Sequence, residues 1–510
     1  MNQKTQKQIF AFTRLLIYLA IAYYSQTFLL AFLIQVSIDC LNNYVFMPIV
    51  LGMHKVQEGM PVLFQRSGYN VIVHAITKGE IQSIEELKMQ VLQYQPKSFS
   101  RFRSKIVYFL NNYYLKEVKN QQEYSKLFGK AFIEVNDEFS NEQDVLEYIR
   151  TKVGPIRFNH DELQFKMFLI KKFVPKTQKG VSQTVLNHDQ ENYENKSCVI
   201  FFYNHVITDG IGGFLALSAI QDKLDLDNLP MMRTKPWHQT AKDMLIGLFF
   251  PFYNSKMEEA LDKSLLTNPI LQFVKNQSGY YITKGYEIGE IKKITQQLKC
   301  TINDLCMTAV GLAFRNYADK HQLHIKDRIQ IGVAVSIRNK PNHKEDITFN
   351  NQIRGQKSHV KIPYSTSAED ILACLQEHKQ CGNEVRDMPY PYGRMFKTRV
   401  TTYLMPLFVL EKAGAAAMNE ASTFTSNISG QPKPIKLGKN AFTERLHFVS
   451  PSSQNDFNAD IKALGFNVMS HNNTLRMSIN YAHINIDGKD IIQFIESAFD
   501  ELRSIAKLSS

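Results

Sequence analysis

One short segment of the sequence combines residue types that could perform acid–base chemistry. An apolar run from Cys198 to Asn204 leads directly into His205, and Asp209 and Gly210 follow. An imidazole titrates near neutral pH and can take a proton from a hydroxyl group as that oxygen attacks a carbonyl carbon. The carboxylate could orient a ring nitrogen or brace the turn by pairing with an arginine. A histidine and an aspartate at this spacing also occur in purely structural turns, so both interpretations stay open.

The elements around His205 are predicted from the same segment. A continuous apolar run such as Cys198–Asn204 is typical of a buried strand, and glycines at 210, 212 and 213 permit a tight turn after it. Residues Ile211–Leu224 then predict a helix. No further histidine, cysteine or aspartate stands nearby at ligand spacing, so we predict no metal site.

Strand-like and helix-like segments alternate along the rest of the chain, which predicts an α/β or α+β fold. Strands are predicted at Tyr69–Ile76, Phe132–Asn136, Phe165–Phe173, Gln330–Ile337, Thr423–Ile428, Gly465–Ser470 and Leu475–Ala482. Helices are predicted at Ile81–Tyr94, Glu290–Leu298, Ile302–Lys320, Thr366–Gly382, Thr401–Asn419 and Gly488–Ile505.

The apolar run Leu15–Ile38 contains 24 residues without a charge, long enough for a helix that spans a hydrocarbon core of about 30 Å. We therefore predict a membrane anchor and a location in the endoplasmic reticulum or plasma membrane. A cleaved signal peptide and a buried or interfacial helix are the alternatives. The weaker apolar stretch Asn43–Met53 leaves open whether the anchor is single-pass or a hairpin, and the orientation is also open.

The predicted organisation has four parts. Residues 1–55 form the anchor, 56–224 a first lobe with the His205 segment, 225–282 a crossover linker and 283–510 a second lobe. The linker is rich in proline and contains the apolar patch Met244–Tyr253, which is either lobe-packing core or a membrane-surface patch.

Composition narrows the classes of partner. The 510-residue chain has a net charge of +12, which attracts anionic partners such as lipid headgroups or coenzyme A. The basic residues are scattered and form no nucleic-acid-binding motif, so we predict no nucleic acid partner. None of the six cysteines forms a C-x-x-C pair, which favours reduced thiols over a disulfide framework. The oligomeric state is not predicted.

Several segments carry a resemblance to a known family. Residues 204–210, NHVITDG, resemble the H-H-x-x-x-D-G motif of the coenzyme A-dependent acyltransferase superfamily. Other segments resemble the wax ester synthase/diacylglycerol acyltransferase family within it, in family order over roughly residues 65–505. They are PKSFSRFRSK at Pro96–Lys105, TINDL at Thr301–Leu305, VSIR at Val335–Arg338 with Asn350 and Asn351 downstream, and TSNISGQP at Thr425–Pro432.

Two positions depart from the family pattern. Asn204 replaces the first histidine of the doublet, whereas the second histidine, the base in the superfamily, is retained as His205. The P-L-W segment should lie near Asp161–Phe165, where only Leu163 is retained, and this segment is thought to shape the acyl-side pocket. The departures leave the substrate range open and are the basis for the alternative of a member of the fold that has lost activity.

The resemblance implies a two-lobed, chloramphenicol-acetyltransferase-like fold with mixed sheets and a channel at the interface between the lobes. It implies that a fatty acyl group passes from acyl-CoA, a co-substrate, to a fatty alcohol or diacylglycerol, giving wax esters or triacylglycerol. No bound cofactor is implied, and the residues that bind coenzyme A stay unknown. Candidate catalytic residues are His205 as general base, Asp209 paired with an unidentified arginine, and Asn303 as a donor to the oxyanion.

Structural roles are implied for Asn204, Gly210, Asp304, Asn427 and Gly430. Asn303 and Asp304 also fit a simple helix N-terminus, where an acidic residue is favourable. Asn427 fits a turn, and Gly430 fits a turn with positive φ. Two alternatives to the main function remain, namely a condensation-type acyltransferase acting on another alcohol or a carrier-bound acceptor, and a member of the fold that has lost activity.

Overall fold

The chain was analysed as a computed structural model that describes residues 41–55, 70–109, 112–174, 193–230, 272–387, 423–449 and 463–508, with single positions near 34–38 and 238–245. Its strands are β1 (Met53–Lys55), β2 (Asn70–Lys78), β3 (Ser104–Phe109), β4 (Asn112–Glu117), β5 (Phe132–Glu134), β6 (Phe165–Ile170), β7 (Cys198–Asn204), β8 (Phe273–Ile282), β9 (Tyr286–Glu287), β10 (Arg328–Ser336), β11 (Ile353–Lys361), β12 (Thr423–Ser429), β13 (Lys436–Leu437), β14 (Ala441–Val449), β15 (Ala463–His471) and β16 (Thr474–Ile484). Its α-helices are α1 (Met47–Leu51), α2 (Ile84–Tyr94), α3 (Gln121–Lys130), α4 (Glu142–Tyr148), α5 (Gly210–Ala219), α6 (Ile288–Gln297), α7 (Ile302–Lys320), α8 (Ala368–Asp387) and α9 (Gly488–Leu508).

The first lobe is built on a six-stranded sheet in the described part of the chain, in the order β13-β14-β2-β7-β6-β5. Strand β7 pairs antiparallel with β2 on one side and with β6 on the other. All seven of its residues are buried, because the run CVIFFYN has apolar side chains for both faces of the sheet. The strand that leads to His205 is therefore rigidly held inside the lobe.

Two strands from the C-terminal half of the sequence complete this first sheet. Strand β14 pairs antiparallel with β2, with Leu446 opposite Ala75 and His447 opposite His74. Strand β13 pairs with β14 at the edge of the sheet. The chain thus crosses from the second lobe into the first and back, which fastens the lobes to each other.

Within the described ranges, the second lobe is built on a seven-stranded mixed sheet. Its path is β11-β10-β12-β15-β16-β8, and β9 pairs with β16. The β10–β12 and β12–β15 pairs are parallel, so β10 and β12 end at the same edge of the sheet. Helices α7 and α9 pack together over this sheet and supply much of its apolar core.

The apolar core of the first lobe lies on both faces of its sheet. One face packs against α2, α3 and α5, and includes the fully buried Phe214 and Phe102. The other face packs against α4, where Ile72 and Phe202 meet Tyr280 and Ile282 from β8 of the second lobe. The lobes therefore share a continuous hydrophobic contact, which fixes the relative position of their sheets.

Local pattern predicted most of these elements. Strand β7 and helix α7 have the predicted bounds, and β2, β10, β12, β15, β16 and α9 differ by a few residues at their ends. The predicted mixed α/β architecture is confirmed. The predicted helix Thr401–Asn419 and nearly all of the apolar patch Met244–Tyr253 lie outside the described residues.

The predicted membrane localisation is corrected. Most of the apolar run Leu15–Ile38 lies outside the described residues, and in the part that the structure describes no helix is both long and apolar enough to cross a membrane. A span needs about 20 apolar residues. The stretch Asn43–Met53 instead holds a π-helical turn followed by the five-residue α1, which ends at Gly52 in the left-handed conformation.

Candidate active site

His205 lies at the carboxyl end of β7, in a turn closed by a hydrogen bond of 3.0 Å from the Ile207 N–H to the Asn204 carbonyl. Helix α5 begins soon after this turn, with Asp209 as its N-cap residue. The Asp209 carboxylate accepts a hydrogen bond of 2.8 Å from the Gly212 N–H, as expected of an aspartate at this position. A strand, a turn and a capped helix thus position the imidazole.

The His205 side chain is buried but retains a small accessible surface, since the residue is 8% exposed. Its Nδ1 atom lies 2.9 Å from Oδ1 of Asn351 in the second lobe. Burial lowers the pKa of His205 below its ordinary value, and hydrogen bonds to its own backbone carbonyl and to Asn351, with the charge of Asp209, oppose that shift only in part. The ring is therefore neutral at pH 7, the form that can accept a proton.

Asp209 is fully buried and pairs with Arg338 across the lobes. One carboxylate oxygen of Asp209 accepts from Nη2 of Arg338 at 3.0 Å and from the N–H of Gln352 at 2.6 Å. The arginine implied by the family resemblance is thus Arg338, the last residue of the VSIR segment. The carboxylate braces the turn after β7 and binds the second lobe to it.

Arg338 also shapes the loop that contains Asn351. Its guanidinium donates to the carbonyl oxygen and the hydroxyl of Thr348 and, at 2.6 Å, to the carbonyl of Asn350. A guanidinium carries five donors in a fixed plane, so it can bind several acceptors of one loop at once. Residues 348–352 are therefore folded around Arg338, and Asn351 is held against His205.

Asn204, which stands in place of the first histidine, serves the turn. Its Nδ2 donates to Oε1 of Gln164 at 3.0 Å, and its Oδ1 accepts from the N–H of Val206 at 3.0 Å. Gln164 in turn donates to the carbonyls of Asn159 and Glu162. Gln164, in the segment where the family has P-L-W, is therefore hydrogen bonded to Asn204, the residue beside His205.

Asn303 and Asp304, the two candidate residues at the start of α7, have different surroundings. Thr301 caps the helix and Asp304 completes a capping box, accepting from the Thr301 N–H at 2.9 Å. The side chain of Asp304 therefore serves to cap the helix. Asn303 is partly exposed, and its Oδ1 accepts from Nδ2 of Asn427 at 3.5 Å. The structure brings these two asparagines together.

The glycines of the two motifs allow close approach of neighbouring segments, across the lobes at Gly210 and within the second lobe at Gly430. A Cβ atom on Gly210 would lie 3.0 Å from Cδ1 of Ile428 on β12, so this glycine makes room for the second lobe. Gly430 does not have the positive φ that its turn suggested. A Cβ atom there would lie 2.3 Å from the carbonyl oxygen of Ser470, so the reason for glycine is steric.

Sequence reasoning missed three contributors, namely Gln164, Asn351 and Gln352. Asn351 was visible as part of an Asn-Asn pair but carried no predicted role, because its contact with His205 spans 146 positions of the chain. Two clefts, of about 900 Å³ beside α1 and about 820 Å³ beside α8, are not lined by His205. Among the described residues, no three His, Cys, Asp or Glu side chains are grouped as metal ligands.

Comparison with solved structures shows which fold the chain has. The chain resembles trichothecene 15-O-acetyltransferase TRI3 from Fusarium sporotrichioides, with a TM-score of 0.59 and 12% identity over 89% of this chain and 95% of that one. It also resembles the condensation domain of the monacolin K polyketide synthase MokA, with a TM-score of 0.52 and 10% identity over 89% and 97% of the two chains. The chain therefore has the two-lobed fold of coenzyme A-dependent acyltransferases and condensation domains.

A narrower match concerns the C-terminal part of the chain. Residues 356–503 match the model of the WS/DGAT C-terminal domain. The wax ester synthase/diacylglycerol acyltransferase from Marinobacter aquaeolei VT8 shares the fold, with a TM-score of 0.53 and 13% identity over 86% of this chain and 95% of that one. The predicted resemblance to the wax ester synthase/diacylglycerol acyltransferase family is confirmed. The comparison with curated protein sequences finds no match.

Proposed function

We propose that this protein transfers a fatty acyl group from acyl-CoA to the hydroxyl of a lipid alcohol, with His205 as general base. Family and fold together support an acyl-transferring enzyme. The observation that carries the specific proposal is the buried imidazole of His205, whose Nδ1 lies 2.9 Å from Oδ1 of Asn351 in the second lobe. Burial also lowers the pKa of His205, which favours the neutral ring at pH 7. A neutral imidazole beside an enclosed reaction centre is the group that acid–base catalysis at pH 7 requires.

The proposed reaction is a direct transfer in which both substrates are bound together. Nε2 of His205 takes the proton from the acceptor hydroxyl as its oxygen attacks the thioester carbon. The tetrahedral intermediate collapses with cleavage of the carbon–sulfur bond, and the imidazolium returns the proton to the coenzyme A thiolate. Holding both substrates in one site removes the need for an acyl-enzyme intermediate.

The oxyanion of that intermediate needs a fixed hydrogen-bond donor. We assign this role to the side-chain amide of Asn303, with backbone N–H groups as the alternative. Asn303 lies in the first turn of α7, where the helix dipole also favours negative charge. Its oxygen faces Asn427, which leaves the NH₂ group as the donor.

Acyl-CoA and the alcohol are proposed to reach His205 from opposite sides, through a channel between the lobes. The proposed acceptors are fatty alcohols and diacylglycerol, which would give wax esters and triacylglycerol. The fold likeness to an enzyme named as a trichothecene O-acetyltransferase supports testing a second candidate, in which another alcohol accepts a short acyl group.

The test is product formation by purified protein. Labelled palmitoyl-CoA or acetyl-CoA is incubated with hexadecanol, diacylglycerol or a sterol, and labelled ester and free thiol are both quantified. His205→Ala is expected to reduce ester formation by about 10²–10⁴-fold, the usual contribution of a general base. His324→Ala, at an exposed histidine, is the matched control and should keep wild-type activity. Equal ester formation by the wild type and His205→Ala would overturn the proposal.

A further inference from the structure

The side chain of Asn351, in the second lobe, contacts the proposed base. We propose that Asn351 is a positioning residue for acyl transfer, and that it holds His205 in the tautomer with the proton on Nδ1. This inference rests on the proposed function, since the tautomer matters only if His205 takes a proton. Neither the family match nor the motifs assign a role to this asparagine.

The orientation of the Asn351 amide follows from its neighbours. Its Nδ2 atom lies 2.9 Å from the carbonyl oxygen of His205 and 3.4 Å from that of Val206. Carbonyl oxygens accept hydrogen bonds and cannot donate them, so the NH₂ group must face them. The flipped amide would put its oxygen against two acceptors in a buried site, with no hydrogen bond to offset the desolvation.

The tautomer of His205 follows from that orientation. With Nδ2 fixed on the two carbonyls, Oδ1 of Asn351 is the atom that lies 2.9 Å from Nδ1 of His205. An amide oxygen only accepts, so Nδ1 must carry the proton and donate it. In a neutral imidazole with a proton on Nδ1, the lone pair is on Nε2. Asn351 therefore leaves Nε2 as the basic nitrogen.

Asn351 is itself held by the buried Asp209–Arg338 pair. The carbonyl of the preceding residue, Asn350, accepts from Arg338 at 2.6 Å, and the N–H of the following residue, Gln352, donates to Asp209 at 2.6 Å. Asn351 is only 7% exposed and is tied on both sides to one ion pair. Asp209 thus acts on His205 through the loop that carries the asparagine.

As a consequence, neither lobe alone contains all the residues that position the base. His205 and Asp209 follow β7 in the first lobe, whereas Arg338 and Asn351 follow β10 in the second. Docking of the lobes brings the amide to the imidazole and sets its tautomer. The contact between the lobes therefore sets the tautomer of the base, in addition to enclosing the proposed substrates.

The experiment compares Asn351→Ala with Asn342→Ala, an exposed asparagine in the connection between β10 and β11. In the acyl-transfer assay, Asn351→Ala is expected to lower kcat by about 10–100-fold, the usual range for loss of a group that orients a reactive histidine. KM for acyl-CoA should change by less than about threefold, because the amide touches the base and not the thioester. Asn342→Ala should match the wild type.

A spectroscopic readout separates positioning from a merely structural role. In protein labelled with ¹⁵N-histidine, the His205 signals are those that disappear in His205→Gln. The wild type should show one tautomer, protonated on Nδ1, and Asn351→Ala should show a measurable fraction protonated on Nε2, because one of the acceptors of the Nδ1 proton has been removed. Even if Asn351→Ala does not fold, a wild-type spectrum with the proton on Nε2 would contradict the assigned role of Asn351.

The outcomes are distinct from those of the proposed function. A proton on Nε2 in the wild type would overturn this inference, as would wild-type kcat in a folded Asn351→Ala protein. Full activity in His205→Gln would instead overturn the proposed base. An inactive His205→Gln beside a fully active Asn351→Ala would leave the base in place and remove only the role of Asn351.

Discussion

Among the residues that the structure describes, two buried carboxylate–arginine pairs join the lobes, and they differ in what surrounds them. Asp209 of the first lobe binds Arg338 of the second, and both contact the loop that holds Asn351 against His205. Glu142 of the first lobe binds Arg476 on β16 of the second at 2.7 and 2.8 Å. Around Glu142 there is no predicted catalytic residue, only groups that satisfy its charge.

The surroundings of Glu142 form a closed ion cluster. Its carboxylate accepts from Arg445 at 3.0 Å and contacts Nε2 of His74 at 3.2 Å. Burial raises the pKa of Glu142, but the charge of Arg476 and its hydrogen bonds outweigh that effect and hold the pKa well below its ordinary value. The carboxylate is therefore ionised and binds the two sheets together.

The contrast between the two pairs suggests two uses of buried charge. A buried ion pair contributes little net stability compared with apolar packing, but removal of one partner is strongly destabilising. At Glu142 we expect that property to disfavour misaligned docking of the lobes, which would leave a buried charge unpaired. At Asp209 the same property is coupled to the position of the base. Stability and activity should therefore respond differently to changes at the two sites.

The largest expected effect is on stability, at Glu142. Glu142→Ala leaves Arg476 and Arg445 buried without their counter-charge, so the free energy of unfolding should fall by about 3–5 kcal/mol. Urea unfolding followed by circular dichroism measures this change. The control is Glu147→Ala on the same helix, whose exposed pair with Arg150 should be worth less than about 1 kcal/mol. Similar values for the two variants would contradict the assigned role of Glu142.

The second prediction concerns activity at Asp209. Asp209→Asn keeps the size of the side chain but removes the charge, and its NH₂ group must face either the donors of both Arg338 and Gln352 or the N–H of Gly212. Loss of a charge-assisted hydrogen bond of about 2 kcal/mol would lower kcat/KM by about 30-fold. Glu142→Gln should change kcat/KM of the folded protein by less than about threefold. If Glu142→Gln lowered kcat/KM more than Asp209→Asn does, the distinction between the two ion pairs would be lost.

Elements with a strong local pattern were predictable from the sequence, whereas contacts between distant segments were not. Strand β7 has a continuous apolar run and helix α7 has a capping box at Thr301, so both were found with their bounds. The pairing of β14 with β2 joins residues more than 350 positions apart, and no local signal indicates it.

The candidate site shows the same division. His205 and Asp209 form a recognisable motif, and the VSIR segment contained the correct arginine. Its partnership with Asp209 became visible only when the two sheets were placed together, because 129 positions separate the residues. The role of Asn351 depends on an amide orientation, which is set by two backbone carbonyls. Such information exists only in three dimensions.

The third prediction is a pH dependence that originates beside Glu142. Both ring nitrogens of His447 are buried without a hydrogen-bond partner among the described residues. Burial, with the nearby charges of His74 and Arg476, holds the pKa of His447 well below its ordinary value, although Glu142 opposes the shift. The unfolded chain therefore binds this proton first as the pH falls below about 6.5.

Linkage gives the sign of the effect. Stability from the neutral His447 is fully present above about pH 6.5 and is lost at lower pH, by up to about 1.4 kcal/mol for each pH unit. His447→Phe should reduce the difference in unfolding free energy between pH 7.5 and 5.5 by about 1 kcal/mol. His324→Phe, at an exposed position, should leave that difference unchanged. An unaltered pH dependence in His447→Phe would show that this histidine is not titrating.

The smallest expected effect is on stability at Asn427. Its contact with Asn303 is long, at 3.5 Å, and Asn427 is exposed, so Asn427→Ala should change the unfolding free energy by less than about 0.5 kcal/mol. Asn303→Ala should be equally mild in stability but should lower kcat by about 10²–10³-fold if its amide stabilises the oxyanion. Wild-type kcat in Asn303→Ala would transfer that role to backbone N–H groups.

The central claim is that the neutral imidazole of His205 accepts the proton in acyl transfer, and the pH profile of kcat/KM tests it most directly. Because burial lowers the pKa of His205, the wild-type profile should be level at pH 7–8 and fall only below pH 6.5, by about tenfold per unit once the ring is protonated. Circular dichroism at each pH confirms that the protein is folded. The residual rate of His205→Ala should lack this acid limb, and an acid limb retained in His205→Ala would contradict the account.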